Sequence, residues 1–231
     1  MIADRLEAVK GTLPEGVELV AVSKYHPVEE VMEAYRAGQR VFGENIVQEL
    51  RVKQPLMPED VEWHFIGHLQ TNKVKYIAPF VGLIHSVDSF KLLSEISRQA
   101  MRFDRRIDCL LQIHVAEEET KFGFTVEECW QMLEEGGWRD LAGVRLRGLM
   151  CMASNTDDTD QVHAEFRSVY DFFTQAKAEF FADAPEFSIR CYGMSHDYSI
   201  AIEEGSNMVR VGTAIFGERE TPSLLPHEGE G

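Results

Sequence analysis

The sequence has little of what points to metal, membrane or nucleotide chemistry. Its four cysteines, Cys109, Cys129, Cys151 and Cys191, lie 20, 22 and 40 residues apart. None forms a CxxC pair, and no histidine cluster at zinc spacing lies nearby. Reduced, mostly packed thiols and no metal site are expected. The first residues, Met1 to Glu7, carry no apolar stretch resembling a signal peptide, and no charge-free run reaches membrane-spanning length. A cytoplasmic protein that does not enter a membrane is the expectation. GxGxxG and Walker patterns are absent, which sets aside the common dinucleotide and nucleoside triphosphate sites. Basic residues are scarce: 23 Lys and Arg against 39 Asp and Glu leave a net charge of −16. That far field repels nucleic acid and anionic membranes, so no nucleic-acid partner is expected, and any phosphate must be held by local donors. No repeat, low-complexity tract or linker divides the 231 residues. The chain reads as one domain over 1–221, with a flexible tail at 222–231 and a second mobile stretch in the acidic loop 154–160.

What is present is alternation. Residues 17–23 form an apolar run of buried-strand type, and similar runs recur near 40–42, 62–66, 82–85, 108–115, 145–150, 187–191 and 208–211. Helical patterns lie between them. One follows Pro27 through Val28, Val31, Met32 and Tyr35 and ends at Gly38. Another, with Asp88 or Ser89 as its cap, carries Leu92, Leu93, Ile96 and Ala100, and the longest carries Val162, Phe166, Val169, Phe173, Ala176 and Phe180. Strands alternating with helices imply a parallel sheet, and eight such units in 231 residues predict a compact (β/α)8 TIM barrel preceded by an extra helix at 2–10. The runs at 40–42 and 82–85 are short, so periodicity alone leaves a six-stranded open sheet as the alternative.

The strand ends carry the chemistry. Lys24 closes the first run, Leu19-Val20-Ala21-Val22-Ser23, and a lysine losing solvation there can become a neutral, nucleophilic amine. The eighth run ends in Arg210-Val211-Gly212-Thr213, which supplies a cation, a bare backbone approach and a hydroxyl, groups that suit a phosphorylated ligand. The seventh leads into Gly193-Met194-Ser195. In a barrel all three ends share the C-terminal face. Each feature also has a plainer reading. A lysine after a strand is most often solvated, and Ser195 reads equally as the cap of a helix beginning near His196. Gly212-Thr213 reads as a turn, and Asn45 with Gln48 three positions on reads as a capping box. His64 and His68 bracket a strand end and a loop, so they do not share a helix face as a zinc pair would.

Six separated motifs resemble the YggS/PROSC family of pyridoxal phosphate homeostasis proteins. They are Ala21-Val22-Ser23-Lys24; Phe42-Gly43-Glu44-Asn45 with Val47-Gln48-Glu49; Trp63-His64-Phe65-Ile66-Gly67 with Leu69-Gln70-Thr71-Asn72-Lys73; Arg147-Gly148-Leu149-Met150; Gly193-Met194-Ser195; and Val209 to Gly217. The resemblance implies a barrel like the N-terminal domain of alanine racemase, with pyridoxal 5′-phosphate (PLP) bound to Lys24 as an internal aldimine. It implies that Ser195, Gly212 and Thr213 hold the phosphate, that Arg210 faces the pyridine nitrogen, and that Asn45 and Met150 line the ring pocket. His64 and Gly67 carry over more weakly. Two positions depart from the usual pattern: His196-Asp197-Tyr198-Ser199 follows Gly-Met-Ser, and Ile46 stands where tyrosine is common.

The resemblance further implies a monomeric carrier that stores or delivers PLP, with PLP-dependent apo-enzymes as its partners and little or no turnover of its own. Arginine stays protonated near neutral pH and cannot pass a proton to the ring nitrogen, so the ring stays a poor electron sink. The chain also ends about a dozen residues past Gly217, where racemases of this fold continue into a β domain that supplies a tyrosine. Two alternatives remain. A small PLP-dependent racemase needs a second proton-transfer group, such as Tyr25, His64 or Cys191. A phosphosugar-binding barrel would use Lys24 to form an imine with a substrate ketone.

Overall fold

A computed structural model describes residues 1–115 and 122–218. Eight strands, β1 (Glu18–Val22), β2 (Val41–Glu44), β3 (Glu62–Phe65), β4 (Leu83–Val87), β5 (Ile107–His114), β6 (Val144–Met152), β7 (Ile189–Cys191) and β8 (Met208–Val211), follow one another in chain order around a closed barrel. Every neighbouring pair is parallel, and β1 closes on β8 with Glu18 opposite Met208 and Ala21 opposite Val211. The barrel expectation holds, and the open sheet is excluded. The tail read at 222–231 lies outside the described residues.

Around the barrel run α1 (Ile2–Thr12), α2 (Val28–Arg36), α3 (Val47–Lys53), α4 (Val74–Ile77), α5 (Phe90–Arg102), α6 (Val126–Glu135), α7 (Thr159–Phe180), α8 (Tyr198–Glu203) and α9 (Thr213–Phe216). Their local signals are ordinary. Ser89 caps α5 by accepting from the Leu92 amide, and Thr125 and Glu128 form a reciprocal capping box on α6. The extra helix α1 buries Ile2, Leu6 and Val9. Its Arg5 donates to the carbonyls of Ile215 and Phe216 at 2.6 and 2.9 Å, so the first helix is fastened to the last. The acidic loop read as mobile is fixed at both ends. Ser154 is buried and bonded through its amide and hydroxyl to Glu165, while Asp158 caps α7.

Strand alternation sorts the apolar side chains into two layers. Leu19, Ala21, Phe42, Trp63, Phe65, Val209 and Val211 belong to the large core between sheet and helices. Val20, Leu83, Leu110, Met150, Cys191 and Met208 form a separate cluster that fills the lumen. Most runs match their strands to within one or two residues, and the seventh starts two residues later than expected. Phe187 and Ser188 precede β7, because Phe187 stacks on Phe173 and Phe181 rather than joining the ladder. Side chains replace the missing pairing. Asn207 accepts from the Arg190 amide at 2.7 Å and donates to the Ser188 carbonyl at 3.0 Å, and the Ser206 hydroxyl accepts from the Tyr192 amide at 3.2 Å.

Candidate functional site

Lys24 lies two residues beyond β1. Carrying the alternation of Val20 and Val22 forward puts it on the lumen side, while Ser23 turns outward to donate to Glu44 at 2.6 Å. Lys24 is half-buried. Tyr25 follows in a left-handed conformation, φ 66°, with its side chain exposed.

The ends of β7 and β8 converge on the same point. The Arg210 amide donates to the Gly193 carbonyl at 3.1 Å, and the Gly212 amide donates to the Ser195 hydroxyl at 3.2 Å. A Cβ on Gly212 would stand 3.0 Å from the Val22 carbonyl, so this backbone runs tightly against the end of β1, two residues before Lys24. Ser195 therefore does not cap a helix. Helix α8 begins at Tyr198, and Asp197 accepts from the Met194 amide at 2.6 Å, closing the loop on itself. Gly212 leads directly into α9, whose first residue, Thr213, is exposed.

Asn45 does not cap either. Ile46 is the residue preceding α3 and makes no side-chain cap bond. The Asn45 Oδ1 atom is buried with no protein partner, the condition of a group left for a ligand. Gly67 packs on it so closely that a Cβ there would fall 2.2 Å from the Asn45 carbonyl oxygen. Beside Asn45 a cavity of about 190 Å³ opens, lined by Gln48, Phe65, His68, Gln70 and Lys73 among others. A larger cleft, about 380 Å³, is lined by Lys91, Ser94 and Arg98 among others; its Arg98 is committed to Glu95.

Beneath the mouth, Arg210 is 3% exposed and donates to the Cys151 carbonyl at 2.8 Å. Met150 is fully buried in the lumen cluster, opposite Cys191 in the β6–β7 register. His64 lies deeper. It is one member of a hydrogen-bonded line: Glu62 Oε1 to His64 Nε2 at 3.1 Å, His64 Nδ1 to His85 Nε2 at 3.0 Å, His85 Nδ1 to Cys191 Sγ at 3.4 Å. A carboxylate only accepts, so with both rings neutral every proton in the line points toward Glu62 and Cys191 donates its thiol proton to His85. Burial, then the charges of His64 and Arg210, hold His85 well below the ordinary histidine range, while burial pushes the Cys191 thiol up to about 11. His85 is a member that sequence reasoning missed. Nothing local marks it, because its partners lie 21 and 106 residues away. The same reasoning missed a buried ion cluster of Glu44, Glu49 and Lys53 behind Lys24, for which the only local signal is the i,i+4 spacing of Glu49 and Lys53.

All four cysteines are buried and free, and among the described residues no cluster of metal-binding side chains occurs. No helix there is long and apolar enough to cross a membrane.

The family model for the alanine racemase N-terminal domain matches residues 1–220, so fold and sequence together define an alanine-racemase-type barrel. Two curated relatives narrow this. The pyridoxal phosphate homeostasis protein of Aquifex aeolicus is 40% identical over 204 residues, covering 88% of this chain and 87% of that protein. That of Schizosaccharomyces pombe is 39% identical over 208 residues, covering 89% and 85%. The chain belongs to the pyridoxal phosphate homeostasis protein family. Among solved structures, PipY of Synechococcus elongatus with PLP bound superposes with a TM-score of 0.84 at 35% identity, over 94% of this chain and 100% of that one. Alanine racemase from Bartonella henselae, with covalently bound pyridoxal phosphate, matches with a TM-score of 0.70 at 14% identity, over 95% of this chain and 60% of that one, a likeness of fold.

Proposed function

We propose that this chain binds PLP reversibly at the C-terminal mouth of the barrel and serves PLP homeostasis as a monomeric store or donor for PLP-dependent apo-enzymes. When bound, the cofactor supplies an aldehyde that the Lys24 amine can capture with loss of water and release by the reverse reaction. The remaining residues hold and orient. Ser195, Gly212 and Thr213 take the phosphate, and Arg210 meets the pyridine nitrogen with a proton it does not give up. Asn45 offers its free Oδ1 to the ring's polar edge, and Met150 floors the pocket with an apolar side chain.

The observation that carries this reading is the convergence of Gly212 on Ser195 and on the carbonyl of Val22. It brings an amide- and hydroxyl-bearing cradle to the strand end that bears the lysine. The buried Asn45 Oδ1 supports the fit from the opposite side. The donors are local and mostly backbone and hydroxyl, as a protein of net charge −16 needs for an anion.

A carrier is favoured over a racemase. Of the three side chains considered as a second acid/base group, Cys191 has a thiol raised to about 11 and bonded to His85, His64 is committed to Glu62 and His85, and Tyr25 is 45% exposed. Cys191 and His64 thus already spend their polar atoms within one buried line. The chain also matches relatives of the homeostasis family along nearly their whole length.

Lys24→Ala tests the assignment. The variant should keep the wild-type circular dichroism and lose the yellow absorbance that PLP gives on binding a lysine. Borohydride reduction of the wild type should fix the cofactor on the peptide containing Lys24. Retained colour in Lys24→Ala, or a label on another lysine only, refutes the site.

A further inference from the structure

We propose that Lys53, Glu44 and Glu49 are positioning residues that clamp the turn on both sides of Lys24, on the reading of Lys24 as the cofactor's anchor. The cluster sits between β2, α3 and the turn after β1.

The Lys53 ammonium has three protons and three acceptors: the Ser23 carbonyl at 2.7 Å, Glu44 Oε1 at 2.7 Å and Glu49 Oε1 at 2.6 Å. Ser23 is also bonded through its hydroxyl to Glu44 Oε1 at 2.6 Å. On the other side of Lys24, the Tyr25 amide donates to Glu49 Oε1 at 2.6 Å. Both backbone neighbours of Lys24 are thus tied to one charged cluster. The tie has a purpose in the backbone itself. Tyr25 is held at φ 66°, a conformation a side-chain-bearing residue keeps only when its surroundings over-determine it.

The burial is unusual for a merely structural feature. The side chains of Lys53 and Glu44 are 5% and 0% exposed, and Glu44 Oε2 has no partner. Two carboxylates against one ammonium leave a net negative charge in the wall of the barrel whenever both acids are ionised. Desolvation of such a group commonly exceeds its internal attraction, and apolar residues of similar volume pack the same space at least as stably. What apolar residues cannot do is bond Ser23 O, Ser23 Oγ and Tyr25 N at once. A reactive amine gains most from such a clamp, because orientation supplies a large part of the advantage of a covalent anchor.

The test compares two ligands on the full chain. PLP carries the aldehyde; pyridoxine 5′-phosphate carries a hydroxymethyl group there, so it reports ring and phosphate binding without Lys24. Glu49→Ala, at the accessible edge of the cluster, should weaken PLP by about tenfold or more while pyridoxine 5′-phosphate stays within about twofold. Glu49→Gln, which keeps an acceptor for the Tyr25 amide, should recover most of the loss. In a Lys24→Ala background, Glu49→Ala should change neither affinity. Lys53→Met should behave as Glu49→Ala if it folds. Independently of any variant, the Tyr25 amide in the ligand-free wild type should exchange at least about a hundredfold more slowly than an unstructured amide.

Equal weakening of both ligands, unchanged PLP affinity in Glu49→Ala, or unprotected exchange at Tyr25 overturns the proposal. These outcomes differ from a failure of the site itself, which shows as retained colour in Lys24→Ala.

Discussion

Replacing Glu44 by glutamine should remove a pH dependence of stability that the wild type shows between about pH 4.5 and 7. Burial raises the Glu44 carboxyl from 4.5 to about 7, opposed by the charge of Lys53, reinforced by that of Glu49, and opposed again by hydrogen bonds from Lys53 and Ser23. Lys53 and Glu49 from α3 are the ionisable groups acting on it. The folded chain holds this proton more tightly than the unfolded chain does, so the group favours folding at low pH. Its contribution is complete below about 4.5, falls as pH rises through the window, and is gone above about 7. At 1.36 kcal/mol per pH unit, the full effect is at most roughly 3 kcal/mol. Glutamine keeps an oxygen for Lys53 and Ser23 and leaves Lys53 paired with Glu49 in a neutral cluster. The assay is urea unfolding of both proteins from pH 5 to 8. Other titrating groups cancel in the difference, so the variant should gain on the wild type by roughly 2–3 kcal/mol across that range. A difference that stays constant with pH would refute the reasoning, and so would a glutamine variant that becomes relatively less stable as pH rises.

Gly67→Ala should destabilise the fold by about 1–3 kcal/mol and weaken PLP binding, because the added methyl meets the Asn45 backbone and the loop must retreat, carrying the free Oδ1 with it. Thermal unfolding and a PLP titration on one preparation check both, and an unchanged melting temperature counts against the contact. His85→Leu should cost about 1–3 kcal/mol for each partner left unsatisfied, since His64 Nδ1 and the Cys191 thiol both lose theirs inside the lumen. Denaturant unfolding at pH 7 measures this, and a variant as stable as the wild type would mean that the line contributes nothing to the fold.

Much of this protein is legible in its sequence, for a physical reason. Strands and helices declare themselves through short-range periodicity, so all eight strands fall where the apolar runs lie, and the cap on α5 is Ser89, one of the two residues its position offers. Side-chain chemistry at strand ends is equally local. Lys24, Arg210 and Gly212 could be singled out before the fold was known because a parallel barrel necessarily gathers those ends on one face. The local rules fail where a residue's partner is distant. Asn45 and Ser195 both fit capping patterns, yet neither caps: Gly67 presses on the first, and Gly212, 17 residues further on, bonds the second. Phe187 reads as strand and instead stacks against two phenylalanines.

The strands and helices along the chain, the residue types at the strand ends and the family resemblance thus belong to the chain's local pattern. Burial and pairing do not. That Lys53 is enclosed, that Glu44 is raised to about 7, and that Glu62, His64, His85 and Cys191 form one line all depend on closure of the barrel. Closure brings remote segments within 3 to 4 Å and excludes the water that would otherwise satisfy each group alone.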